Sequence, residues 1–122
     1  MKLARGGVTG GRFITRPKEY ALVYEKGQSW VCDLLVMRAL PNELTLSRYG
    51  ISVSKRVGNA VVRNRVKRLL REILRTVPLR PGWDIVFIAR PAAASTGYAS
   101  LKQATEDLLT RAHLIETAFM AV

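Results

Sequence analysis

The chain has 122 residues, with 20 Lys or Arg against nine Asp or Glu, a net charge of +11 and an isoelectric point near 10.7. That length corresponds to one domain, and a charge of that size opposes compaction and calls for an anionic partner, either nucleic acid or anionic lipid. No apolar run reaches the roughly 18 residues of a membrane span, and a single histidine (His113) and a single cysteine (Cys32) exclude an internal disulfide and a His/Cys metal cluster.

The opening MKLARGGVTGGRF has no apolar signal core, so the expected location is the reducing cytoplasm. Residues 1–15 hold four of the nine glycines and three basic residues and read as a flexible basic arm. The folded domain is then expected over 16–116, with 117–122 as a tail. Pro17 suits the first turn of a helix and Gly27 its stop, which predicts a helix over 17–26. Residues 30–39, rich in Val, Leu and Trp, read as one strand. LPNE over 40–43 is a turn signal. A second strand is expected over 44–54, with Tyr49, Ile51 and Val53 on one face and Gly50, Ser52 and Ser54 on the other. The small, polar face leaves room for something to lie against it.

Asn59 is a plausible N-cap for a helix that Pro78 ends near residue 77. Val62, Val66, Leu69, Leu70, Ile73 and Val77 share its apolar face. Asn64, Lys67, Arg68, Arg71 and Arg75 fill the opposite face, with Arg63 and Arg65 on the shoulders. Residues 84–90, DIVFIAR, read as a strand buried on both faces. Leu101, Ala104, Thr105, Leu108, Ala112 and Ile115 then recur at helical spacing. A strand, helix, strand order predicts a βαβ unit in a mixed sheet, hence an α+β domain.

The stretch from Ser52 to Arg75 holds eight of the basic residues and one acid, Glu72. Arg63, Lys67, Arg71 and Arg75 repeat four apart with one sign, which costs an isolated helix about 0.2–0.5 kcal/mol per pair. A polyanion alongside reverses the sign of that term, so the stripe points to nucleic acid. Membrane binding fits less well, since the apolar face has strands on either side in sequence to cover it. A DNA-reading helix-turn-helix would need a helix before residue 58, where a strand is expected.

ISVSKRVGNAVVRNRVKRLLRE closely resembles the signature of the bacterial ribonuclease P protein subunit. The residues that carry the match are Ser52, Ser54, Lys55, Gly58, Asn59, Ala60, Arg63, Asn64, Arg65, Lys67, Arg68 and Arg71. EYALVYEKG over 19–27 resembles the family's first helix, and WDIVFIARPAA its buried strand, so the likeness covers roughly residues 12–114. It implies a single-domain α-β sandwich with an about four-stranded mixed sheet and three helices, similar to the second domain of the fifth small-subunit ribosomal protein. It also implies a left-handed βαβ crossover, against the usual hand.

The resemblance further implies a protein, itself monomeric, that partners a catalytic RNA which uses Mg²⁺ to remove the 5′ leader from precursor tRNA. Lys55, Arg56, Asn59, Arg63, Asn64, Arg65, Lys67, Arg68 and Arg71 would then contact RNA. Tyr20 and Tyr24, four apart on one helix face, would line a leader cleft opened by Gly50 and Ser52, with Arg38 and Arg90 on the nucleic-acid backbone. Arg38 stands where many members carry an aromatic. Phe13, Trp30 and Trp83 are left between groove and core, and His113 and Cys32 read as structural. No catalytic residue is expected, because the chain lacks a paired catalytic histidine, a Walker loop and a carboxylate cluster. Which residues, if any, hold a metal is left open. A ribosomal-type or generic RNA-binding protein is the alternative.

Overall fold

The computed structural model describes residues 12–116. Strand β1 (Arg12–Phe13) is followed by helix α1 (Pro17–Lys26), strands β2 (Gln28–Val31), β3 (Leu35–Pro41) and β4 (Arg48–Ser52), and helix α2 (Ala60–Thr76). Strand β5 (Trp83–Ala89), a 3₁₀ turn (Pro91–Ser95) and helix α3 (Tyr98–Arg111) complete it. The strand order is β1-β4-β5-β3-β2. β1, β4 and β5 run parallel, while β3 is antiparallel to both β5 and β2. This is the expected α+β sandwich with a mixed sheet of four strands, extended at one edge by the two-residue β1.

β1 and the buried Ile14 bring into the packed domain residues that the sequence alone assigns to the arm. The remainder of that arm, and the tail over 117–122, lie outside the described residues. The single strand expected over 30–39 is a hairpin. Its two arms, β2 and β3, are joined through residues 32–34, where the Cys32 amide donates to the Leu35 carbonyl at 2.9 Å. The strand expected from residue 44 begins only at Arg48. The delay comes from Asn42, whose side chain accepts from the Leu44 amide at 2.7 Å and donates to the Leu46 carbonyl at 3.3 Å, holding 42–46 as a loop.

The two faces of the sheet are covered unequally. α2 and α3 pack on one face, where Met37, Tyr49, Ile85 and Phe87 meet Val66, Leu70, Ile73, Leu74, Leu101 and Leu108. Each such side chain, fully buried, contributes about 1.5–3 kcal/mol. α1 alone lies on the other face, over a smaller cluster of Ile14, Val23 and Val86 with Tyr20, Leu40 and Ile88 around it.

A polar network anchors that second layer. Arg48 grips the buried Asp84 through two bonds, Nε to Oδ1 at 2.8 Å and Nη2 to Oδ2 at 2.6 Å, and reaches Glu19 of α1 with Nη1 at 2.7 Å. Asn42 Nδ2 gives Asp84 Oδ1 a further bond at 2.8 Å. The bonds to Asp84, and then to Glu19, outweigh desolvation and hold the guanidinium above its ordinary pKa. Desolvation would raise the Glu19 carboxyl, but bonds from Arg48 and the Arg16 amide hold it below its ordinary 4.5.

Arg48→Met leaves Asp84 buried and uncompensated. The expected loss is about 3–5 kcal/mol in denaturant titration, the usual range for breaking a buried pair from one side. Glu19 gives a pH signature. Its carboxylate contribution is fully present above the unfolded-state pKa and disappears as pH falls through the lowered folded value. The stability difference between the parent and Glu19→Gln should therefore shrink on acidification below the ordinary carboxylate range.

Candidate nucleic-acid interface

β4 runs out at Ser52, and the chain turns through 54–58 into α2. The Val57 amide donates to the Ser54 carbonyl at 3.1 Å and the Gly58 amide to the Lys55 carbonyl at 3.2 Å. Gly58 lies against the first turn of the helix, where an added Cβ would stand 3.0 Å from Val62 Cβ. Asn59 is the N-cap, its side chain accepting from the Val62 amide at 3.0 Å. Its oxygen is thus engaged by the helix. No acid occupies the first turn of α2, so the positive end of the helix dipole adds to the cations around it.

Those cations divide into two groups. Arg63 bends back to the Gly58 carbonyl through Nε at 3.1 Å. Arg65, half-buried, donates to the carbonyls of Ala94 and Thr96 and so ties α2 to the segment leading into α3. Both shoulder arginines are therefore held by backbone. Lys55, Arg56, Asn64, Arg68, Arg71 and Arg75 are exposed and Lys67 is half-exposed. None of the cations of α2 makes an ion pair among the described residues. The outer face of α2 is a row of unneutralised charge.

Arg71 leans off that row toward the sheet edge. Its guanidinium lies 5.9 Å from the centroid of the Phe13 ring, which meets Tyr49 edge-on at 4.6 Å. Phe13, Ile14, Tyr20, Ile51 and Arg71 line a hollow of about 270 Å³ there. Phe13 is thus at the surface, 41% exposed, while Trp30 and Trp83 pack against the main core. Cys32 packs there too, and His113, at φ 59°, is the left-handed residue that closes α3.

On the opposite layer the structure corrects the reading of Gly50 as open space. Gly50 is buried, and an added Cβ would stand 2.5 Å from the Tyr20 hydroxyl, because the Tyr20 ring lies directly on it. Desolvation raises the pKa of that phenol, against a hydrogen bond from the Ile51 backbone. The open floor begins one row further along. Ser52 pairs Ile88, Ile88 pairs Val36 and Val36 pairs Val31, so these four side chains line up on one face across four strands. Val36 and Ile88 stay partly exposed although each lies in an interior strand, so α1 leaves this row incompletely covered. Tyr24, 40% exposed, stands on the helix beside Tyr20. Val31, Val36 and Ile88 do not stand out in the sequence, since only the strand register aligns them.

Arg38 is the second correction. Its guanidinium is taken up by the carbonyls of Val23, Tyr24 and Gly27 and by Ser29 Oγ. Arg90, exposed past the end of β5, donates through Nη1 to the Cys32 carbonyl at 2.8 Å. Among the described residues no three His, Cys, Asp or Glu side chains form a group able to hold a metal ion, and the carboxylates of Glu19 and Asp84 are taken by Arg48. Carboxylates engaged in this way do not fit a Mg²⁺ site.

A basic helix whose cations make no ion pair among the described residues, beside a sheet face with aromatic rings on one wall and an aliphatic floor, defines an α+β domain with a strongly cationic side next to a partly open apolar one. The family model for ribonuclease P matches residues 10–113, and the chain belongs to that family. It is similar to the ribonuclease P protein component of Dehalococcoides mccartyi (strain ATCC BAA-2266 / KCTC 15142 / 195), at 50% identity over 105 residues, 86% of this chain and 88% of the relative. It is likewise similar to that of Caldanaerobacter subterraneus subsp. tengcongensis, at 42% identity over 84% of this chain and 90% of the relative. Its fold matches the ribonuclease P protein of Staphylococcus aureus with a TM-score of 0.77 at 32% identity, covering 86% of this chain and 97% of that one. The Thermotoga maritima protein matches with a TM-score of 0.73 at 28% identity, covering 81% of this chain and 96% of that one.

The two groups of arginines separate by experiment. Arg65→Ala removes bonds from a charged donor and should cost about 1.5–3 kcal/mol of stability. Arg68→Ala, exposed and unbonded, should stay within about 0.5 kcal/mol of the parent. Thermal unfolding of the two variants side by side measures this.

Proposed function

We propose that this chain, as the protein subunit of ribonuclease P, binds the catalytic RNA along the outer face of α2 and the 5′ leader of precursor tRNA in the groove beside α1. The catalytic RNA, with Mg²⁺, cuts the leader away, and the protein carries no catalytic residue. The observation that supports this best is the continuity of the two surfaces. Arg71 belongs to the uncompensated row of α2, and it reaches over Phe13 into the hollow that Tyr20 also lines.

The division of work follows from the chemistry of each surface. Lys55, Arg56, Lys67, Arg68 and Arg71 screen phosphates of closely approaching RNA strands. Arg63, Asn59 and Arg65 shape the loop and helix that present them. Asn64, exposed and uncharged among cations, offers a directed hydrogen bond. In the groove, bases of a single strand stack on Tyr24 and on the exposed side of Tyr20 over the row Ser52, Ile88, Val36 and Val31. That floor is almost wholly aliphatic, so the grip is tolerant of leader sequence. Arg90 stands at the far end of the floor, where a backbone phosphate would pass. The protein acts as a monomer within the cytoplasmic ribonucleoprotein.

The test is reconstitution with the cognate RNA. Protein free of RNA should leave precursor tRNA intact, and adding it to the RNA subunit should lower the Mg²⁺ needed for cleavage. Arg68→Ala should weaken RNA binding and reduce the salt slope by about 1, because one fewer phosphate is neutralised. Tyr24→Ala should weaken precursor binding at least about fivefold, the lower end for one base stacked on one aromatic, and leave mature tRNA binding unchanged. Specific 5′ cleavage by the protein alone, or equal losses for precursor and mature tRNA, would sink the reading.

A further inference from the structure

α1 carries one wall of the groove on little packing. A helix of ten residues is marginal by itself, and of these ten only Val23 is fully buried. Its ends are fastened instead by two arginines that rise from the same face of the sheet. Arg48 of β4 holds Glu19 in the first turn. Arg38 of β3 holds the last turn, with Nε to the Val23 carbonyl at 3.4 Å and Nη2 to the carbonyls of Tyr24 at 2.6 Å and Gly27 at 2.9 Å. Its Nη1 reaches Ser29 Oγ on β2 at 3.1 Å.

This is a demanding site. The last carbonyls of a helix have no partner within it, as at Tyr24, whereas that of Val23 already accepts from the Gly27 amide at 2.9 Å. A guanidinium serves several acceptors from one rigid plane, which an ammonium on a flexible stem cannot do. Its charge also suits the negative end of the helix dipole. Gly27 completes the fit, since an added Cβ would stand 2.6 Å from the Val23 carbonyl oxygen and 3.0 Å from that of Ala39. Register then ties the clasp to the groove. Gly50, Val86, Arg38 and Ser29 form the row that α1 covers, immediately beside the open row Ser52, Ile88, Val36 and Val31.

We infer that Arg38 is a positioning residue for the leader groove: it grips Tyr24 by its own carbonyl and so sets that ring at the rim of the open row, without touching RNA itself. The inference rests on the groove reading proposed above. A ring held in place before binding loses less freedom when a base stacks on it, so the clasp acts through affinity for the unpaired strand alone.

The experiment measures precursor and mature tRNA binding by the reconstituted holoenzyme carrying Arg38→Gln, Tyr24→Ala or both, with amide exchange of the free protein alongside. Arg38→Gln should weaken precursor binding about fivefold, as Tyr24→Ala does, with mature tRNA unaffected. The double variant should be no weaker than Tyr24→Ala alone. Amides over 24–27 should exchange faster while those of β5 hold. Arg38→Lys, which keeps the charge but not the fork, should show the same pattern more weakly, and it carries the test where Arg38→Gln does not fold. If Tyr24→Ala is effective and neither Arg38 variant is, the clasp inference fails and the groove reading stands. If Tyr24→Ala leaves the precursor preference intact, the groove reading itself fails and takes the positioning role with it. Losses that add in the double variant, or that fall equally on both ligands with a lowered melting temperature, make Arg38 a stabilising residue only and overturn the inference.

Discussion

The bidentate bond between Arg48 and Asp84 is the contact on which the layers converge. The two residues are directly paired across β4 and β5, so the bond locks the register of the parallel pair that α2 connects. The same guanidinium holds Glu19 and with it the first turn of α1, while Asn42 brings the loop before β4 to the same carboxylate. One buried acid thus organises the strand pair, the loop and the helix on the open layer. Buried ion pairs are often no more stable than an apolar substitute. Here the pair sets geometry: Val86 and Ile88 follow Asp84 on the same face of β5, and Gly50 and Ser52 follow Arg48 on β4, so its register decides which row α1 covers and which stays open.

Arginine does three kinds of work in this molecule, and net charge does not distinguish them. Arg38, Arg63, Arg65, Arg90 and Arg111 donate to backbone carbonyls and hold segments in place. Arg48 completes a buried pair. Arg56, Arg68, Arg71 and Arg75 stand exposed beside Lys55 on the loop and outer face of α2. A guanidinium suits all three settings because its five donors lie in one plane and its charge is not lost on burial. The freely exposed positive surface is accordingly narrower than the charge total implies, and it is concentrated on the loop before α2 and on the outer face of that helix.

The second layer is thin, a small apolar cluster under one helix. α1 covers only part of this sheet face. Tyr20 marks the limit, its ring pressed on Gly50 where no side chain could stand. Beyond it, apolar side chains on interior strands remain partly exposed, an arrangement that packing alone does not favour. Polar clasps at both ends of α1 supply the hold that a wider apolar contact would give elsewhere.

Local chemistry made much of this legible in the chain. Pro17 and Gly27 bound α1 because one suits a helix start and the other a close approach at its end, and Asn59 caps α2 because its oxygen reaches an orphan amide. The period of Val62, Val66, Leu70 and Ile73 against the cations separates core from surface on α2, and the long ordered motif around it identifies the family. What depends on residues far apart in sequence is not legible. A hairpin reads as one strand, since the residues flanking its turn, Trp30 and Val31 on one side and Leu35 and Val36 on the other, are apolar and the turn carries no glycine. Gly50 reads as open space, since nothing in sequence places Tyr20 upon it. Arg38 and Arg65 read as contacts for nucleic acid, since the backbone carbonyls that hold them arrive only on folding. Periodicity and capping act over one or two turns of chain. Strand register, and the partners that consume an arginine's donors, are decided only when distant segments meet in the tertiary structure.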